Sequence, residues 1–159
     1  MNSYQLLLFA VETIDKTLQM TEKSYYRCTL CISSKIISVK EITDILGFEP
    51  TRAYEKGTLM SPRNPKSRIR QESSWYLDIE LATEASFDDH IKQIISVIEK
   101  HLSQFGTLVK VCDLEIYCSF FAGEDNGQFF LNSSLLKRLT IIPIDITVAL
   151  YPPTSNSEE

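Results

Sequence analysis

The stretch Trp75-Tyr-Leu-Asp-Ile-Glu-Leu81 decides the fold class. Trp75, Leu77, Ile79 and Leu81 alternate with Tyr76, Asp78 and Glu80, the period of two that a half-buried strand requires. A strand covered on both faces would read instead as a continuous apolar run. The same alternation recurs in Tyr25–Ser34, where Tyr26, Cys28, Leu30 and Ile32 oppose Arg27, Thr29 and Cys31. It recurs again in Cys112–Phe121, with Cys112, Leu114, Ile116, Cys118 and Phe120 against Asp113, Glu115, Tyr117 and Ser119. A last strand is predicted over Ile142–Leu150, with Ile142, Ile144, Ile146, Val148 and Leu150 inward and Asp145, Thr147 and Ala149 outward. Four such strands predict one sheet covered on a single side.

Helices are expected between them. Ser38-Val-Lys-Glu41 is a capping box, Ile42, Ile45 and Leu46 supply a buried stripe, and Gly47 a stop. The main helix is predicted over Ser86–Phe105, where Phe87, Ile91, Ile94, Ile95, Ile98, Leu102 and Phe105 make one apolar face, and Gly106 ends it. A third covers Ser134–Leu139. Val109 and Val111 are out of phase with the strand after them and predict a bulge or a separate short strand. Asp125-Asn126-Gly127 signals a tight turn, with Phe129–Leu131 as its hairpin partner. The order predicts an α+β fold, broadly ferredoxin-like, with a mostly antiparallel or mixed four- to five-stranded sheet and helices on one face. Residues 25–151 form the domain. Residues 1–24 are an extension that reads as a helix or an added strand, and 152–159 are a polar tail.

With 159 residues, 43% of them hydrophobic, the chain suits a single packed domain. Its net charge of −5 argues against general affinity for nucleic acid or anionic membrane. That average hides an asymmetry. Between Arg52 and Arg70 six basic residues meet one acid, Glu55, which leaves ten basic and twenty acidic residues elsewhere. The apolar run Gln5–Val11 is far shorter than the about 20 residues a spanning helix needs, and no basic residue precedes it as in a secretory signal. Four cysteines fall short of the density of small secreted domains, so a reducing cytoplasm is expected.

The basic residues lie in an unusually long connection, Gly47–Ser74, which Pro50, Pro62 and Pro65 keep from regular structure. Connections beyond about 12–15 residues tend to be functional or disordered. Leu46-Gly47-Phe48-Glu49-Pro50-Thr51, then Lys56-Gly57 and Trp75-Tyr76-Leu77, together with the flanking strands and helices, resemble a bacterial family known as domain of unknown function 4279. The resemblance covers Tyr25–Tyr151. It implies small stand-alone cytoplasmic proteins of immunity-gene character and brings no catalytic residues.

Two constellations could carry function. The outward strand positions Tyr76, Asp78, Glu80, Asp113, Glu115, Tyr117 and Asp145, with Tyr25 and Arg27, would form an open acidic and aromatic face if all strands share one sheet. Such a face suits a cationic protein partner or, where its carboxylates converge, a divalent metal; otherwise it is simply a solvated surface. The basic connection offers Arg52, Lys56, Arg63, Arg68 and Arg70 to phosphate, without a glycine-rich cradle, or is simply a solvated, mobile loop. Cys28-x-x-Cys31 with Cys112 and Cys118 invites zinc, but strand positions three apart point to opposite faces, against a tetrahedral site. His90 and His101 read as surface residues of the main helix. The expectation is therefore a non-catalytic cytoplasmic binding protein, immunity-like or regulatory, without cofactor. Its partner would be another protein such as a toxin, the alternative is nucleic acid or a phosphate ligand on the basic stretch, and the chain itself is expected to be a monomer or a homodimer.

Overall fold

The computed structural model describes residues 23–123 and 127–152. Within them, β1 (Tyr25–Ser34), β2 (Arg52–Tyr54), β3 (Ser73–Ile79), β4 (Asp113–Phe121) and β5 (Asp145–Tyr151) join in one sheet of order β2-β3-β1-β4-β5. The first three pairings are antiparallel and β4–β5 is parallel, because β4 reaches β5 through a helical crossover. The helices are α1 (Val39–Leu46), α2 (Phe87–Lys100), α3 (Leu102–Leu108) and α4 (Ser133–Leu139). The α+β class and the mixed sheet agree with the sequence reading; a ferredoxin-like topology does not follow from them.

Burial explains the single covered face. Leu30, Ile32, Trp75 and Ile116 are fully buried against Ile42, Leu46, Ile91, Ile94 and Ile95 from the helices. Ser38 begins α1 through the expected capping box, and Gly47 ends it in the left-handed region at φ 77°. Tyr26 packs with Phe87, Phe120 and Phe129 in an aromatic cluster at ring separations of 5.1–5.8 Å. Among the described residues no helix is long and apolar enough to cross a membrane.

Several expectations need correction. The main helix is two: the backbone leaves helical geometry at His101 (φ −119°, ψ 33°), and Gly106 lies inside α3 rather than ending α2. The break lets α3 turn Phe105 and Leu108 into the core, while Leu102 is left exposed. Val109 and Val111 belong to the exit turn of α3, where the amides of Val111 and Cys112 both reach the Leu108 carbonyl. Phe129–Leu131 forms no strand; Phe129 instead caps the aromatic cluster from an irregular segment. His90 is buried, its Nδ1 2.9 Å from the Ser86 carbonyl oxygen. It lies three residues from Phe87 and four from Ile94, on the same stripe. The expectations for residues 1–22 and for most of the Asp125-Asn126-Gly127 turn lie outside the described residues.

Candidate functional site: the open face of the sheet

Register places the outward residues in rows. Arg52, Tyr76, Cys31, Glu115 and Asp145 are successive cross-strand neighbours from β2 to β5, a line that spans the whole sheet. Asp78, Thr29, Tyr117 and Thr147 form the next row. Among the described residues no helix covers this side. A concavity of about 490 Å³ opens over the first row, walled by Cys31, Arg52, Tyr76, Glu115, Tyr117 and Asp145. Asp113 also lines it from the start of β4, and Glu80 stands one residue beyond β3.

One end of the face is aromatic. Tyr25, Phe121 and Tyr151 stack across β1, β4 and β5 with centroids 4.6 and 4.8 Å apart. The Arg27 guanidinium lies 5.6 Å from the first two rings, and Tyr117 Oη is 3.5 Å from Tyr151 Oη. That contact raises the Tyr117 phenol above its ordinary pKa. Burial, with Glu115 nearby, pushes the Cys31 thiol up to about 11, so it stays neutral at physiological pH and is a poor nucleophile.

Asp78 is a structural anchor rather than a free acid. Thr29 Oγ1 donates to Oδ1 at 2.6 Å, and Arg52 donates through Nε and Nη2 at 3.0 and 3.1 Å. Thr51 Oγ1 sits 2.9 Å from Oδ2 and accepts from the Asp78 amide. Burial alone would raise this carboxyl, but the bonds from Arg52, Thr29 and Thr51 outweigh it and hold the pKa below the ordinary value of 3.8. A depressed folded-state pKa contributes stability present above the unfolded value and lost as pH falls through the folded one. Wild type is therefore expected to exceed Asp78→Asn in denaturation free energy at pH 6, with the gap closing progressively below about pH 4.

The basic stretch does not converge on a ligand. Arg52 lies over the Tyr76 ring at 4.5 Å as well as on Asp78, Lys56 Nζ donates to the Lys35 carbonyl, and the Arg70 guanidinium lies 3.9 Å from the Tyr54 ring centroid. Only Arg63 and Arg68, of the five residues singled out, remain exposed without such a contact. Nor is this connection structureless. After β2 it folds into an ordered hairpin, held by Gly57 N–H to Arg70 O, Arg70 N–H to Thr58 O, Met60 N–H to Arg68 O and a Leu59–Ile69 bridge. Its proline content concealed that ladder. Glu55, the one acid among these bases, has a structural role that its sequence context does not signal. It accepts from the Val39 amide at the start of α1 and from Ser73 Oγ, tying the connection to helix and sheet.

The four cysteines do not gather at one point. Cys28 and Cys118 face each other directly under the helices, Sγ to Sγ 2.9 Å, whereas Cys31 is on the open face and Cys112 precedes β4. Among the described residues no group of three or more His, Cys, Asp or Glu side chains is arranged to hold a metal.

Five of the motif residues around the long connection, Gly47, Phe48, Thr51, Gly57 and Trp75, have architectural roles. Gly47 stops α1, and Phe48 packs edge-on against Trp75 at 5.6 Å. Thr51 fastens the entry to β2 onto β3, and Gly57 takes φ 85°. Trp75 is fully buried and donates through Nε1 to Thr43 Oγ1 at 3.2 Å. The chain belongs to the family described as Domain of unknown function (DUF4279). The family pattern matches residues 23–153, the whole sheet with its helices. No curated protein and no solved structure matches the chain. In this DUF4279 domain these residues thus hold the β2–β3 edge of the sheet and its link to α1. Gly57→Val is expected to cost about 1–3 kcal/mol in chemical denaturation, because a β-branched residue is strained at positive φ.

Proposed function

We propose that the protein is a non-catalytic, cytoplasmic binding module, immunity-like or regulatory, that captures a cationic protein partner such as a toxin on the open face of its sheet. The single observation that carries this reading is the row Arg52–Tyr76–Cys31–Glu115–Asp145, an uncovered line of aromatic and acidic groups across five strands. Its one arginine is already neutralised by Asp78, so the row presents net negative charge through Glu115 and Asp145. Tyrosines beside carboxylates give rigid contact area with polar tips, and an acidic field steers a basic partner toward it. The rest of the chain reinforces that field, since its negative charge lies outside the Arg52–Arg70 stretch.

The test is retention from a lysate of the source organism on the tagged protein, with nuclease treatment and washes at low and high salt. One basic protein that stays through nuclease and high salt supports the reading. Recovery of nucleic acid alone, released as salt rises, would move the function to Arg63 and Arg68, since phosphate contacts carry a steep salt dependence.

A further inference from the structure

The two edges of the sheet are built differently. The β2 edge is three residues long, carries Arg52 and runs into the Gly57–Arg70 hairpin. Short, charged or covered edges are how proteins keep strands from pairing with other chains. β5 has none of these protections. It runs Asp145-Ile-Thr-Val-Ala-Leu-Tyr151 with one charge at its first residue and neither lysine nor proline. Among the described residues no strand pairs with its outer side.

Its side chains are also unfinished. On the helix side of the sheet, the β4 neighbours Ile116, Cys118 and Phe120 are 0–8% exposed, but their β5 partners Ile146, Val148 and Leu150 are 37%, 37% and 65% exposed. These were expected to be buried from their alternation, and the position of β5 at the sheet edge is why they are not. The Tyr151 carbonyl accepts from the Ala122 amide on the inner side. By strand alternation, Ile146, Val148 and Leu150 therefore direct their N–H and C=O groups outward.

We propose that β5 is a self-association edge, pairing antiparallel with β5 of a second copy about a two-fold axis through Val148. Sequence symmetry singles out this register. It sets Val148 against Val148, Ile146 against Leu150 and Thr147 against Ala149, and each outward N–H and C=O of the three apolar residues finds a partner. It also keeps the only charge away from its like, because Asp145 comes opposite Tyr151 of the other copy. An axis through Thr147 would leave Leu150 and Tyr151 without partners in the strand, and a one-residue slip of register would turn apolar residues against polar ones on the same face. A seven-residue strand pairing buries less than the ~800 Å² per partner of a standard interface, so the dimer is concentration-dependent.

The test is sedimentation velocity of the full chain over a concentration series, with Val148→Lys and Val148→Glu, each checked for folding by circular dichroism. Wild type is expected to shift from monomer to dimer as concentration rises. Each variant alone, placing like charges opposite each other, is expected to stay monomeric, and their equimolar mixture to dimerise. A wild type that is monomeric throughout, or variants that dimerise as well as wild type, would overturn the proposal.

Discussion

Trp75→Ala is expected to remove about 3–5 kcal/mol of stability. Against a total of about 5–15 kcal/mol for a domain, that leaves a marginal or unfolded protein. Among the described residues Trp75 is the largest fully buried side chain, and it is the third residue of β3. Its loss would open a cavity between β3 and α1, remove the edge-on contact of Phe48, and leave the Thr43 hydroxyl without its indole donor. Equilibrium urea denaturation followed by circular dichroism measures the effect. Trp75→Phe, which keeps most of the volume, is expected to recover more than half of the difference.

The second large effect concerns binding. Tyr117→Ala is expected to weaken the captured partner by about 2 kcal/mol, roughly 30-fold, as for a tyrosine near the centre of an interface. Glu115→Lys, which reverses the sign at the middle of the row, is expected to cost at least about tenfold and to slow association more than it speeds dissociation. Neither change disturbs the core, since both side chains project from the uncovered face. Denaturation midpoints should stay near wild type while titration calorimetry reports the loss. Arg63→Ala with Arg68→Ala is expected to leave affinity within about twofold, because these residues sit on the separate hairpin.

Much of this was legible in the sequence where one physical signal dominated. The period-two alternation in β1 and β4 set both their location and their facing, and the burial of β4 follows it residue by residue. The capping box at Ser38 and the glycine at 47 fixed α1 to within a residue. Sequence reasoning failed where tertiary context chooses between local options. The stripe from Phe87 to Phe105 is continuous, so nothing local announced the break at His101; it exists because α3 must turn toward α1. β5 alternates like a half-buried strand, yet an edge position left its apolar side uncovered. The open face was found as a set of positions, but its free and engaged members looked alike in sequence. Asp78 and Arg52 neutralise each other and two threonine hydroxyls bond the carboxylate, while Glu115 and Asp145, neighbours in register, have no such partners among the described residues.

The most direct measurement of where this protein works is side-chain footprinting of the complex with its captured partner, comparing tyrosine and lysine labelling in the free and bound states. The account predicts that Tyr76 and Tyr117 lose reactivity on binding while Lys56 and Lys66 on the basic stretch keep theirs. Unchanged labelling of Tyr76 and Tyr117, with protection confined to Lys56 and Lys66, would contradict it.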